Sequence, residues 1–441
     1  MKYFGTDGIR GQVGKYPVTP DFILKFGYAL GIALKEKYSN PNIVIGKDTR
    51  ISGYLFESAL EAGLTYAGVN VYLVGPIPTP AIAYLTRAFR LSVGCVISAS
   101  HNPYYDNGIK LFSNTGHKFD NQFESRIEEL IDKEMSISPS LGYVYRIDDA
   151  KGRYIEFCKS SVPNYLSLQN KKIVLDCANG ATYQIAPNVF EELGAEVLAI
   201  GTTPDGMNIN QNCGATSLKT LVDTVIASKA DYGVAFDGDG DRVMMVDKMG
   251  NIYDGDKILY IIFKLYKALN LKIDHVVGTI LSNLGFEIAL NKENTQLIRV
   301  GVGDKNIIKE IQDKSLLIGG EPSGHIIVSD KHTTGDGIIA ALQVFYACQV
   351  LGKDINEIID WKEVRQISYN VSIEENRDWK QKLQTVIPDL EQKSQNNGRI
   401  LVRESGTESV LRIMIESNDE QFLDNSLNKI KLALNIQGQT Q

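Results

Sequence analysis

Short, unbroken apolar runs alternate with stretches of helical period along most of the chain, and this alternation limits the fold more than any other feature. "NIVIG", "NVYLVG" and "LSVGCVI" (91–97) come first. "KKIVLDCANG" (171–180), "AEVLAIG" and "DYGVAF" (231–236) follow, then "HVVGTIL" (275–281), "QLIRVG" (296–301) and "LLIGG" (316–320). Apolar runs this short, bounded by Gly, Asn or Pro, read as short buried strands. The intervening stretches repeat apolar residues at helical spacing, as Phe22, Ile23, Phe26, Leu30, Ala33 and Leu34 do within 21–38. After "PIPTP", Thr79 and Pro80 are expected as N-cap and first residue of a helix. Strand–helix–strand alternation requires parallel strands with crossover helices. The pattern recurs at a spacing of roughly 100 residues, giving three similar α/β units. The last stretch reads as strand, helix, two adjacent strands and a closing helix from 420, an α+β module. The Ser-, Pro- and Gly-containing segment 136–150 is the clearest linker.

A chain of 441 residues is too long for one ordinary core. The sequence lacks a long apolar span, and its start, "MKYFGTDGIRG", lacks the apolar region of a signal peptide. The five cysteines are scattered without a CxxC pair, which speaks against disulfides or zinc and fits a reducing cytoplasm. A net charge of −7 disfavours nucleic acid as a partner. An anionic substrate then needs local Arg and Lys.

Four polar loops end these runs. "CVISASHNPYYDNGIKLF" (95–112) leaves a strand and at once presents Ser98, Ser100, His101 and Lys110. "DGDGDR" places Asp237, Asp239 and Asp241 at the end of a strand; in an extended backbone they point to one side and call for a hard cation. An EF-hand is excluded, because Arg242 and Lys248 stand where that loop needs Gly and Glu. "GGEPSGHI" (319–326) alternates Glu321, Ser323 and His325, groups suited to a polyol. "RESGTE" (403–408) joins Arg403 to Ser405, Gly406 and Thr407, an anion nest, with Arg412 on the next strand. Nucleophile, metal, polyol and phosphate sites together describe phosphoryl transfer on a phosphosugar.

In order, "KYFGTDGIRG", "SASHNPYYDNGIK", "DGDGDR", "GGEPSGH", "TTGDG" and "RESGTE" cover nearly the whole chain. With them the chain resembles the α-D-phosphohexomutases, most closely the bacterial phosphoglucosamine mutases. The resemblance implies three α/β domains with mixed sheets (1–145, 153–250, 251–362) and a C-terminal α+β domain (366–441), around a central cleft. It implies a phosphoserine at Ser100, and one Mg²⁺ on Asp237, Asp239, Asp241 and a phosphoserine oxygen. Arg10, His101, Lys110 and Arg242 match family positions near the serine, with Lys110 a candidate general acid/base. Glu321, Ser323 and His325 would meet the sugar. Arg403, Ser405, Gly406, Thr407 and Arg412 would hold the phosphate that is not transferred. The implied reaction interconverts glucosamine 6-phosphate and glucosamine 1-phosphate through a hexosamine 1,6-bisphosphate, which also primes the enzyme, and feeds UDP-N-acetylglucosamine and cell-wall synthesis. The expected partner is a phosphosugar, with neither nucleic acid nor membrane, and a homodimer is compatible with the resemblance. A phosphomannomutase/phosphoglucomutase on the same scaffold and a metal-dependent sugar phosphatase are the alternatives. Three residues depart from the usual pattern: Ser409 replaces a proline, Pro322 a glutamine and Lys305 an arginine.

Overall fold

The computed structural model describes residues 2–5, 7–394, 398–404 and 409–436. The chain divides into two compact units, one of residues 1–279 with 298–359 and one of residues 280–297 with 360–441.

The first unit opens with β1 (Ile9–Gln12), α1 (Pro20–Lys37), β2 (Asn42–Lys47), α2 (Ser52–Tyr66), β3 (Asn70–Pro76) and α3 (Thr79–Ala88). It continues with β4 (Val93–Ile97), β5 (Asp106–Ser113), α4 (Asn121–Ile131) and β6 (Val144–Arg146). These strands form one sheet in the order β1-β5-β4-β2-β3-β6. Its centre is parallel, and β5 runs antiparallel to both β4 and β1. The central runs of this sheet are buried as their composition requires: Ile43, Val44 and Ile45 of β2 and every residue of β4 are buried. The helical period places Phe22, Phe26, Leu30 and Leu34 of α1 in the same core as Leu60 and Leu64 of α2. Two expectations change here. Residues 144–146, inside the segment read as a linker, pair with 71–73 and complete the sheet. Thr79 is the first helical residue rather than the N-cap, and Pro78 occupies the cap. Its hydroxyl has another partner, described below.

The second sheet gathers α5 (Ala150–Ser160), β7 (Lys172–Asp176), α6 (Ala186–Glu192), β8 (Glu196–Ile200), α7 (Lys219–Ser228), β9 (Tyr232–Phe236), β10 (Val243–Asp247) and β11 (Ile252–Tyr253). Its order is β11-β10-β9-β7-β8. The hairpin between β9 and β10 carries the aspartates. The third sheet follows α8 (Gly255–Ala268) and contains β12 (His275–Thr279), β13 (Gln296–Val300), β14 (Ile318–Gly320) and β15 (Ile326–Val328), in the order β13-β12-β14-β15. Between β12 and β13 in the chain comes α9 (Leu284–Lys292), which belongs to the second unit, and α10 (Asp304–Lys314) precedes β14. α11 (Gly337–Leu351) and α12 (Ile355–Ile358) close the unit. Asp336 caps α11 by accepting the N–H of Ile339 at 3.0 Å. All three sheets are thus mixed, as expected.

The second unit holds β16 (Gln366–Ser372), a short 3₁₀ turn, α13 (Trp379–Leu383), α14 (Val386–Ser394), β17 (Gly398–Glu404), β18 (Val410–Ser417) and α15 (Glu420–Ala433). Its sheet is antiparallel, β16-β18-β17, and Leu411, Ile413 and Ile415 of the central strand pack with Leu423 and Ile430 of α15.

Candidate active site

β4 ends at Ile97, and the chain turns back into β5 through Ser98–Tyr105. Ser100 adopts φ +52°, a left-handed backbone that a residue with a Cβ seldom takes. Its N–H donates to Ser98 Oγ at 2.9 Å, and Ser98 Oγ donates to Asp48 Oδ2 at 2.7 Å. The turn points the Ser100 hydroxyl at the next sheet, where it donates to Asp237 Oδ2 at 2.6 Å. His101 Nδ1 lies 3.2 Å from the same hydroxyl. Burial, then the charges of Arg242 and Arg10, push His101 down to about 4, so its imidazole is neutral near pH 7.

The aspartates converge for a reason other than alternation. Residues 237–241 form a turn, not an extended strand, closed by Gly240 N–H donating to Asp237 O at 3.1 Å. The turn needs both glycines. Gly240 has φ +74°, and a Cβ on Gly238 would lie 2.6 Å from the Ser100 carbonyl oxygen. Thr79 fixes the turn from outside, its N–H donating to Asp239 O at 2.8 Å and its hydroxyl to Asp239 Oδ2 at 2.6 Å. That second bond explains why Thr79 does not cap its own helix. The three carboxylates are buried, with ligand atoms within 4.8 Å of one another. Among the described residues Asp239 Oδ1 and Asp241 Oδ1 have no hydrogen-bond partner. Buried, orphaned carboxylate oxygens this close fit a hard divalent cation.

Lys110 balances part of this charge. An outward lysine is the plain expectation for a short strand, yet Lys110 on β5 is 1% exposed. Its Nζ lies 2.9 Å from Asp239 Oδ2, 3.2 Å from Asp241 Oδ2 and 3.3 Å from Asp7 Oδ2. Burial pushes the ammonium down, but Asp239, Asp241 and Asp7 together hold it well above the usual lysine range. Around it runs a ring of alternating charge. Asp7 pairs with Arg10 and Lys118, and Lys118 also pairs with Asp304. His325 Nδ1 lies 3.6 Å from Asp241 Oδ1, and its Nε2 lies 3.9 Å from Asp304 Oδ2. Burial opposes the imidazolium, and Asp241 leads the groups that raise it above the ordinary value. Arg242 Nε, 3.9 Å from Asp241 Oδ1, is buried and has no hydrogen-bond partner among the described residues, as is the case for Arg10 Nε. Ser100, His101, Lys110, Arg10, Arg242, the three aspartates and His325 therefore meet within the first unit.

Glu321, Ser323 and His325 do not alternate along a strand. They span the tight turn between β14 and β15, closed by Gly324 N–H donating to Glu321 O at 3.0 Å. Glu321 and His325 are buried and Ser323 is exposed, its hydroxyl donating to Glu321 Oε2 at 3.2 Å. Lys305 is engaged by Glu124 at 2.8 Å. In the second unit Arg403 and Arg412 stand opposite each other on β17 and β18 and line a cavity of about 310 Å³ with Ser368 and Asn370. Burial and the Arg412 charge both lower Arg403. Like charges facing across a sheet mark a place for an anion. Ser405, Gly406 and Thr407 lie outside the described residues.

Sequence reasoning missed Asp7, Asp48, Arg50, Thr79, Lys118, Asn210 and Asp304. Asp7 lies in "GTDGIRG" with Arg10, and Asp304 in "VGDK" with Lys305. Nothing local marks the others as site residues. Asp48 and Arg50 pair with each other, but their further contacts in the site, like those of Thr79, Lys118 and Asn210, join residues far apart in the chain.

The phosphoglucomutase/phosphomannomutase family matches in four parts: α/β/α domain I over residues 1–138, domain II over 152–250, domain III over 254–364 and the C-terminal domain over 369–430. The phosphoglucosamine mutase of Neisseria meningitidis serogroup C is 50% identical over 438 residues, 98% of this chain and 99% of the relative. That of Dechloromonas aromatica is 52% identical over 428 residues, 95% of each chain. Among solved structures, a phosphoglucomutase/phosphomannomutase family protein of Burkholderia thailandensis superposes with TM-score 0.80 at 22% identity, covering 97% of this chain and 96% of its own. The N-acetylphosphoglucosamine mutase of Aspergillus fumigatus, in complex with GlcNAc-6P and magnesium, gives TM-score 0.64 at 16% identity, covering 98% and 95%.

Proposed function

The chain belongs to the phosphoglucosamine mutases of the phosphoglucomutase/phosphomannomutase family, and we propose that it interconverts glucosamine 6-phosphate and glucosamine 1-phosphate through a phosphoryl group carried on Ser100. The observation that carries this reading is the Ser100 hydroxyl, buried and 2.6 Å from Asp237 within a cluster of three carboxylates.

In the forward half-reaction the P–Oγ bond of phosphoserine breaks and a P–O1 bond forms on glucosamine 6-phosphate. The resulting 1,6-bisphosphate turns over, and its O6 phosphoryl group passes back to Ser100 Oγ. The sugar 1-phosphate leaves. Each transfer exchanges a proton for the phosphoryl group. O1 gives up its proton as the P–O1 bond forms while Ser100 Oγ gains one, and on the return Ser100 Oγ gives up its proton while O6 gains one. His101, neutral and in contact with Oγ, is suited to take and return the proton at Ser100. Lys110, bound by three carboxylates, is better suited to charge compensation than to the acid/base role expected of it. Arg10 and Arg242, whose Nε atoms have no partner among the described residues, supply positive charge to the phosphoryl oxygens. Mg²⁺ on Asp237, Asp239 and Asp241 would neutralise charge on the transferring group. Glu321 accepts sugar hydroxyls, with Ser323 and His325 beside it. Arg403, Arg412 and the loop of Ser405, Gly406 and Thr407 hold the phosphate that stays. A trace of hexosamine 1,6-bisphosphate primes Ser100. The product supplies UDP-N-acetylglucosamine synthesis in the cytoplasm, consistent with five unpaired thiols; among the described residues no helix is long and apolar enough to cross a membrane.

The test is ³¹P NMR with Mg²⁺ and a trace of bisphosphate, offering glucosamine, glucose and mannose 6-phosphates together. The glucosamine ester should give its 1-phosphate first. Faster conversion of glucose or mannose refutes the substrate assignment, and release of inorganic phosphate alone refutes a mutase.

A further inference from the structure

Two residues outside the reacting groups converge on the carbonyl of Ser100. Arg50, fully buried, lies just beyond β2 and is anchored by Asp48, whose Oδ2 accepts its Nε–H at 2.8 Å. Its Nη2 donates to Ser100 O at 2.9 Å and Asn102 O at 2.8 Å, and its Nη1 donates to Asp106 O at 3.1 Å and to Pro103 O. One guanidinium thus collects three carbonyls of the serine loop and that of Asp106 at the start of β5, using a planar fork that a lysine cannot reproduce. Asn210 approaches from the second sheet's side. Its Nδ2 donates to Ser100 O at 2.9 Å and Asn102 O at 3.2 Å. It adopts φ +58° to do so, and its N–H is tied to Ala178 O at 2.8 Å. The metal turn closes the third side, since a Cβ on Gly238 would lie 2.6 Å from Ser100 O and 2.7 Å from Asn210 Nδ2.

We propose that Arg50 and Asn210 are positioning residues for phosphoryl transfer, clamping the Ser100 and Asn102 carbonyls from two sides so that Ser100 keeps the left-handed backbone that aims its Oγ at Asp237. Neither residue touches the hydroxyl. A seryl residue released from this clamp relaxes toward an ordinary backbone and swings Oγ away from the carboxylates. The inference rests on the reading of Ser100 as the phosphoryl carrier.

The test compares the wild-type chain with Asn210→Gly, Asn210→Asp and Arg50→Lys. Asn210→Gly removes the amide but allows the positive φ. Asn210→Asp keeps the shape but turns a carboxylate oxygen toward two carbonyls. Steady-state kinetics on glucosamine 6-phosphate and intact mass of the phosphoserine form are read together. Displacement of a reacting atom by about 1 Å costs up to about a hundredfold, so kcat should fall on the order of tenfold in Asn210→Gly and further in Asn210→Asp. KM should stay within about twofold, because the clamp acts on the transferred group and not on the sugar. Arg50→Lys should show the same split; if it does not fold, the Asn210 pair decides. Wild-type kcat in both Asn210 variants, or a loss confined to KM, overturns the clamp. A wild-type chain that takes no phosphoryl group onto Ser100 from the bisphosphate sinks the carrier reading and this inference with it.

Discussion

Lys110→Met isolates the charge balance at the centre of the site. The substitution keeps an unbranched stem in a position that is 1% exposed and removes the ammonium that pairs with Asp239, Asp241 and Asp7. The ligand oxygens of the three metal-loop aspartates lie within 4.8 Å of one another. At an effective dielectric of about 20, unit charges at that separation repel by roughly 3 kcal/mol per pair. Removing one partner of a buried ion pair generally costs about 3–5 kcal/mol, which is the same scale. In chelator, the variant should therefore melt on the order of 10 °C below the wild type. Mg²⁺ should restore more of the variant's stability than it adds to the wild type, because the cation replaces the missing positive charge. Differential scanning calorimetry of both proteins, with EDTA and with excess Mg²⁺, gives the four numbers needed. Equal melting temperatures in EDTA, or identical gains from Mg²⁺, would refute the argument that Lys110 and a cation share the carboxylates of Asp239 and Asp241.

Asp239→Asn should shift the Mg²⁺ concentration for half-maximal activity upward by at least about tenfold, since one ionised ligand is lost; an unchanged activation curve removes Asp239 from the ligand set. Arg412→Ala should raise KM for glucosamine 6-phosphate by about ten- to a hundredfold, the loss of a charged hydrogen bond, and an unchanged KM would deny the paired arginines a phosphate. Acid should weaken the fold through His332, whose Nδ1 accepts the N–H of Thr333 and whose Nε2 therefore donates to Pro80 O at 2.9 Å. Phe157 stacks edge-on against its ring and Asp336 Oδ2 is 4.0 Å away. Burial first, with the charges of Arg87 and His117, pushes this imidazole from 6.5 down to about 3. The unfolded chain then binds the extra proton between those values, so stability falls with pH below 6.5, by on the order of 5 kcal/mol in total. Asp336, raised by burial to about 6, contributes with the opposite sign, losing stability as pH rises through that value. Urea unfolding of wild type and His332→Gln at pH 6.5 and 5 should show a smaller loss in the variant; equal losses would mean that His332 does not titrate as its bonds require.

The strands were legible because burial on both faces leaves no polar alternation: "NIVIG" and "LSVGCVI" are almost wholly apolar and lie at the centre of their sheet. Ser100 and the aspartates were legible because reactive groups crowd beside glycines at strand ends, where no packing need explains them. The local geometry was less so. Glycine at 238 and 240 signals a turn as readily as flexibility, so a reading by alternation aims the carboxylates correctly for the wrong reason. Thr79 was misplaced because a threonine before a proline is a sound cap signal, and its true partner, Asp239, lies 160 residues away. Arg50 and Asn210 were invisible for the same reason. Their role is set by carbonyl oxygens, which every residue carries and no sequence pattern marks.

The sixth strand has a consequence for anyone who would divide this chain. The family match to the first domain stops at residue 138, before Val144–Arg146 pairs with Val71–Leu73. A fragment ending there would bare the outer backbone of β3 between buried Val71 and Leu73, a ready template for pairing with another chain. A fragment carried through residue 146 would keep that edge covered by its own backbone. The first should associate through sheet edges where the second does not, which light scattering on the two fragments would reveal. The first sheet is complete only at Arg146, inside a stretch whose serines, proline and glycine look like a tether.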